Sequence, residues 1–308
     1  MRNSRSQSKR SYKAELDKRS FSRARLFVLA GFLASATSVF SQAHQDAIEK
    51  RDDLPANSIQ EKVRRIMEED LEDEGAITEL FVLGDEAVPS LIKFLSDGNK
   101  ERRAGAARGL AIIGNQQGMQ ALRRATKVER DKEVKSAMSC FLFGGLASTK
   151  LESDMEFLRS SIEKARFADD NEEDFPAVCA ALGLGMIGRR DSLAVLRKAA
   201  GADLVDSEEI GKAVKWIENK SRPGQLTSDP SLNDEEVIKR TVLERTFFAQ
   251  AERDETSVNQ LTFGPGRTKV LVSLEIYHGP RSARGYDLVL AKESGIWRVV
   301  GIWFAWVA

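Results

Sequence analysis

The stretch AARGLAIIG at residues 106–114 is written again as AALGLGMIG at residues 180–188. This duplication constrains the fold more than any other feature, because self-similarity at a fixed period is the signature of stacked repeats. The phrase reduces to an i, i+3, i+7 frame, Ala107, Leu110, Gly114. The frame recurs as Ile77, Leu80, Gly84, then as Met138, Phe141, Gly145, then as Ala181, Leu184, Gly188. A weaker copy, Val214, Ile217, Ser221, lacks the glycine, and the successive spacings are 30, 31, 43 and 33 residues. A second column of apolar stripes with helical periodicity lies between these. It comprises Val88, Leu91, Leu95; Met119, Leu122, Thr126; Met155, Leu158, Ile162; and Leu193, Leu196, Ala200. The unit is therefore helix, turn, helix, repeated about five times, and SIQEKVRRIMEED (58–70) supplies the first helix of the opening unit.

The residue types fit that reading. Alanine and glycine let helices approach closely, and leucine and isoleucine fill the space between stacked pairs. The terminal glycine is expected to take the left-handed turn that ends a helix. Pro89 falls in a first turn, where its missing N–H costs little. One hairpin cannot bury its own apolar face, so neighbours must stack. The 43-residue spacing reflects an insertion, ARFADDNEED (165–174), expected as a solvent loop.

Asp97, Arg103, Ala106, Ala107, Leu110, Ile113 and Gly114 in one unit resemble the HEAT-like repeats of phycobilisome lyases and other bacterial proteins. Ala180, Ala181, Leu184, Ile187 and Gly188 match in another unit, although Ala177 stands where that family carries arginine. The resemblance covers about residues 58–220 and implies an α solenoid. Solenoids serve many roles, so it specifies architecture far better than activity.

The chain has 308 residues and no net charge, but the balance is uneven. Residues 1–43 hold nine basic and two acidic side chains, leaving 38 basic against 45 acidic in the rest. Arg2, Arg5, Lys9, Arg10, Lys13, Lys18, Arg19, Arg23 and Arg25 form a basic region ahead of the apolar LFVLAGFLASATSVF (26–40). Ser41 and Ala43 then place small side chains where a signal peptidase reads. This is the pattern of an export signal cleaved near Ala43, with an uncleaved anchor as the alternative. The apolar run of 15 residues falls short of the roughly 20 that span a bilayer. No later stretch is expected to form a stable membrane span. The mature body is expected in the periplasm or outside the cell. Export permits a disulfide between the two cysteines, Cys140 and Cys179. Both lie in small apolar helical text, however, and the favoured expectation is a pair of buried free thiols.

NKSRPGQLTSDPSLN (219–233) has the composition of a linker. Residues 234–255 then read as one helix whose buried side is Val237, Thr241, Leu243, Phe247, Phe248 and Ala251. Beyond it the period changes to two, over 257–264, 267–278, 285–293 and 296–308, giving four antiparallel strands joined by GPG and KESG hairpins. The last strand is apolar on both faces, so two layers should cover it, the helix and something else. The expected fold is thus an α solenoid of about five hairpins followed by a small α+β domain, one helix and a four-stranded antiparallel meander. The division is 1–43 signal peptide, 44–57 leader linker, 58–220 repeats, 221–233 linker and 234–308 C-terminal domain. The order of elements in the last resembles a cystatin-like or nuclear-transport-factor-like layer.

Residues with chemistry are few. The chain has two histidines, His44 and His278, and no phosphate loop, metal-spaced helix motif or nucleophile elbow. No cofactor or metal is expected. Glu275, Tyr277, His278, Tyr286 and Asp287 come from neighbouring strands and are the candidates for a small-ligand or acid–base site. Arg102, Arg103, Arg108, Arg123 and Arg124 form a basic group in the repeats, and Trp303 and Trp306 a terminal aromatic pair; these are the candidates for protein contact. Nucleic-acid binding is not expected, because no basic stripe is interleaved with aromatics. The expected function is a non-enzymatic, exported protein-interaction scaffold with a protein partner. The alternative is a ligand-binding or catalytic C-terminal domain that the repeats position.

Overall fold

The computed structural model describes residues 56–68, 74–146, 152–165, 175–201, 207–218, 233–245, 255–279 and 282–307. Residues 1–43, expected as an export signal, most of the segment 44–57, the insertion after Ala165 and the linker before Asn233 lie outside the described residues.

The repeats begin with α1 (Ala56–Glu68), α2 (Glu74–Leu83), α3 (Val88–Phe94), α4 (Lys100–Ile113) and α5 (Gln116–Val128). They continue with α6 (Lys132–Leu146), α7 (Glu152–Lys164), α8 (Phe175–Ile187), α9 (Leu193–Ala200) and α10 (Ser207–Glu218). Helices α2, α4, α6, α8 and α10 stack in order as one column; in the other, α3 packs on α5 and α7 on α9, with Arg123 of α5 paired to Asp154 of α7 between them. Among the described residues this makes four complete pairs, with α1 packed on the opening pair and α10 closing the stack. Ile77, Leu80, Leu110, Met138 and Leu184 occupy successive rungs of the first column and are buried. In the second column Leu91, Leu122, Leu158 and Leu196 play the same part.

Local signals start and stop these helices. Asn99 and Asn115 cap α4 and α5, each side-chain oxygen accepting backbone N–H groups of the first turn. Gly84, Gly114 and Gly188 have positive φ and end α2, α4 and α8 as expected. Gly145 does not follow suit. It lies within α6, where a Cβ would press on Met119 of α5, so it serves close packing and not termination.

The C-terminal part comprises α11 (Asp234–Arg245) and β1 (Glu255–Phe263), β2 (Lys269–Gly279), β3 (Ser282–Glu293) and β4 (Ile296–Val307). The strands form one antiparallel meander in the order β1-β2-β3-β4. Ser294 and Gly295 both have positive φ and close the β3–β4 hairpin in two residues. The connection from β1 to β2 is a short helical turn, Pro265–Arg267. On α11 the described buried side is Val237, Ile238, Thr241 and Val242, with Leu243 only partly covered. This corrects the expected stripe by one position at Leu243; Phe247, Phe248 and Ala251 lie outside the described residues. Asn233 and Glu236 form a reciprocal capping box at its start, each side chain accepting the other's backbone N–H at 3.0 Å.

A single apolar core runs from the repeats into the sheet. Helix α11 covers one face, touching both outer strands, and β4 packs against α6 and α8 with the other. The two-sided covering expected of the last strand is therefore present, and its second layer is the first column of the repeats.

One expectation is overturned. Cys140 on α6 and Cys179 on α8 are joined as a disulfide, with Cα atoms 5.3 Å apart. Two neighbouring helices of one column bring these side chains face to face, which a pattern read along a single helix does not reveal.

Candidate functional site

The described residues singled out for chemistry are spread over the junction between sheet and repeats, the α11 face of the sheet and both helical columns. At the junction, side chains in β2, β3 and β4 alternate between α11 and the repeats. Asp287 on β3 lies on the repeat side. It accepts a bond from Arg108 of α4 at 2.7 Å, and Ser273 of β2 lies 3.3 Å from its other oxygen. Both ends of the Arg108–Asp287 pair are largely withdrawn from solvent. Trp303 of β4 is buried beside this pair in the register and donates its indole N–H to the Phe141 carbonyl of α6 at 2.9 Å. Gly144 of α6 makes that approach possible, since a Cβ there would strike the Ile302 carbonyl and the Trp303 ring.

Two further contacts extend the junction. Lys269 of β2 reaches the Ile113 carbonyl at the end of α4, 2.6 Å away. Burial pushes this ammonium below its ordinary pKa, a shift that Asp85 only partly opposes. Pro265, in the β1–β2 turn, sits against Gly84 at the end of α2.

This geometry separates the candidate ligand residues. Tyr286 is fully buried on the α11 face, opposite Leu274. Asp287 faces the other way and is engaged by Arg108. Glu275 accepts a bond from Asn259 at 3.0 Å, and Tyr277 is exposed. The side chains of His278 and Trp306 lie outside the described residues. The expected five-residue group is therefore not gathered in one cleft among the residues described. Lys269 and Gly144, which were not singled out from the sequence, prove central to the junction. A lysine at a strand start and a glycine late in a helix carry no local signal of a distant partner.

The basic group is likewise distributed. Arg108 belongs to the junction. Arg103 binds Glu129 at 2.7 Å and the carbonyls of Asp97 and Gly98. Burial opposes the Glu129 charge, but Arg103 and the backbone N–H groups of Arg130 and Asp131 hold its pKa below the usual glutamate value. Arg102 lies 3.8 Å from Asp97. Arg123 of α5 pairs with Asp154 of α7, its guanidinium 5.7 Å from the Phe157 ring centroid. Arg124 is exposed. Farther along, Arg159 and Arg189 share Glu152 and Asp191. Arg123–Asp154, Arg159–Asp191 and Arg189–Glu152 lace one repeat to the next, whereas Arg103–Glu129 ties the two helices of one repeat together.

Along the second column, α3 and α5 bound an open groove of about 780 Å³. Ile92, Leu95, Ala121, Ala125 and Val128 give it apolar walls. Val128 is 76% exposed, the most open of the large apolar side chains described. Among the described residues no helix is long and apolar enough to cross a membrane. Nor does any group of three His, Cys, Asp or Glu side chains among them suit a metal ion.

Comparison with known proteins agrees with the helical stack. A family model of HEAT repeats matches residues 68–139, the segment from the end of α1 into α6. No curated protein matches the chain. The chain thus contains HEAT-like repeats, an architecture that commonly carries protein partners.

Proposed function

We propose that this chain is an exported, non-enzymatic scaffold that binds a protein partner on the second column of its helical stack. The observation that carries the reading is the position of the sheet. It lies on the first column, from α2 to α8, so that side is occupied from within the chain. The second column bears the exposed apolar side chains Val128 and Phe157 and the groove between α3 and α5. A stack of repeats offers an extended surface for a partner.

Export rests on the basic and apolar leader, and the Cys140–Cys179 bond supports it, because disulfides persist where thiols are oxidised. The non-enzymatic reading is supported by the dispersal of the candidate acid–base residues over both faces of the sheet, with Asp287 tied up by Arg108.

Two measurements test this. Residues 1–55 fused to alkaline phosphatase should give activity in the periplasm; phosphatase that stays inactive in the cytoplasm removes the export claim. A partner recovered on the full chain from envelope extract, then remeasured with purified components, should lose binding to Val128→Lys/Phe157→Lys. Binding unaffected by those changes, and abolished instead by substitutions at Tyr277 and His278, would transfer the function to the sheet.

A further inference from the structure

The groove between α3 and α5 has an asymmetry of charge that its lining residues alone do not suggest. Three carboxylates border it, and each is satisfied from inside the chain. Asp97 accepts the Asn99 N–H at 2.8 Å. Glu129 is held by Arg103 and by two backbone N–H groups. Asp131 accepts the N–H groups of Glu133 and Val134, at 3.0 and 3.1 Å, and so starts α6. The cations are a different case. Arg103 is spent on Glu129 and on two carbonyls, whereas Arg124 and Arg130 are exposed on the wall and rim. No carboxylate among the described residues pairs with either guanidinium.

The groove therefore shows a ligand an apolar floor and two open guanidinium groups, while each of its own carboxylates already has hydrogen-bond partners within the chain. We propose that it binds an acidic peptide segment of a partner protein. Carboxylates of the segment would pair with Arg124 and Arg130, and a branched or aromatic side chain would settle on Ile92, Leu95, Ala125 and Val128. Guanidinium groups favour this class because their planar forks match carboxylates in two parallel bonds. The apolar walls add what a purely ionic contact at an exposed site lacks. This inference rests on the scaffold reading above and names the chemistry of its partner.

The test is selection of random dodecapeptides displayed on phage against the immobilised full chain. The same selection is run on Arg124→Glu/Arg130→Glu, on Val128→Lys and on Phe157→Lys. All these side chains are exposed, and unchanged circular dichroism spectra and melting temperatures would establish that the variants fold. Enriched peptides should carry at least two Asp or Glu around an apolar residue. Synthesised with a fluorescent label, they should bind the double arginine variant roughly tenfold or more weakly, bind Val128→Lys more weakly, and leave Phe157→Lys unaffected. Peptides without acidic residues, or acidic ones that the arginine variant binds equally, overturn the groove proposal. If those peptides are sensitive instead to Phe157→Lys, the scaffold reading stands and only this groove is excluded. A selection that enriches nothing, together with no partner recovered from extract, sinks both. A full chain that sediments as a dimer, and that the double arginine substitution dissociates, would assign the groove to a second copy and overturn the peptide.

Discussion

Gly144 lies on α6 where the helix meets β4, and a Cβ built there runs into the Ile302 carbonyl and the Trp303 indole. Backbone cannot yield as a flexible side chain can, so Gly144→Ala should force helix and strand apart. A loss of about 1–3 kcal/mol is expected, the usual range for overpacking. Gly211 on α10 is the natural control, because a Cβ there meets nothing within 4 Å. Gly211→Ala should stabilise by roughly 0.5–1 kcal/mol, the helix-propensity difference between the two residues. Urea unfolding of both variants checks the pair, and equal signs would contradict the close approach at Gly144. At this scale the sequence is legible where a residue acts on its own backbone, as at Gly84, Gly114 and Gly188. It is opaque where the partner comes from far along the chain. Arg108 and Asp287 are separated by 179 positions, and neither bears a mark of the other.

Helices α6 and α8 are neighbours in one column, and the Cys140–Cys179 bond ties them across 39 residues of sequence. The enclosed span includes α7 and the insertion. A closed loop of that size stabilises by about 4 kcal/mol when the effect is ascribed to the unfolded chain. Cys140→Ala/Cys179→Ala should accordingly lower stability by several kcal/mol in denaturant titration, and a reductant should lower wild type but not the variant. The start of α11 supplies a test by pH. Burial disfavours the Asp234 charge, but Lys292 and Trp297 bind it, at 2.8 and 3.1 Å, and hold its pKa below the usual aspartate value of 3.8. A carboxyl depressed on folding stabilises above its unfolded value, and that contribution is lost as pH falls through the folded one. Asp234→Asn should therefore lower the melting temperature at neutral pH, and the gap should narrow as pH falls below about 4. A gap that is constant with pH would remove the ionic role. Period and capping residues made the helices and strands readable from text alone. Faces are less legible where neighbouring residues share one character, as at Val242 and Leu243, and where two helices meet, as at the cysteines.

For the molecule as a whole, the sheet and the repeats share a continuous core, an ion pair largely shielded from solvent, and hydrogen bonds to the carbonyls of Ile113 and Phe141. They should unfold together, in one calorimetric transition. Arg108→Glu places a second carboxylate beside Asp287 in a site with little water. Uncompensated burial of one member of such a pair costs about 3–5 kcal/mol, enough to weaken docking before either part melts. Two transitions are expected for that variant, and two in the wild type would show that the parts fold independently. The double covering of the last strand could be foreseen from its apolar residues on both faces. The identity of the second cover could not, because Trp303, Gly144 and Lys269 are ordinary in their own segments and acquire meaning only once the chain is folded back.

Stacked repeats, each touching only its neighbours, normally flex like a spring. Here the four-stranded plate is fastened at the end of α2 by Pro265, to α4 by Asp287 and Lys269, and to α6 by Trp303, and it rests on α8 as well. It works as a splint. Twisting one unit against the next would have to bend the plate or tear it loose, so the opposite side should hold its curvature and keep the intervals between its grooves constant, more ruler than spring.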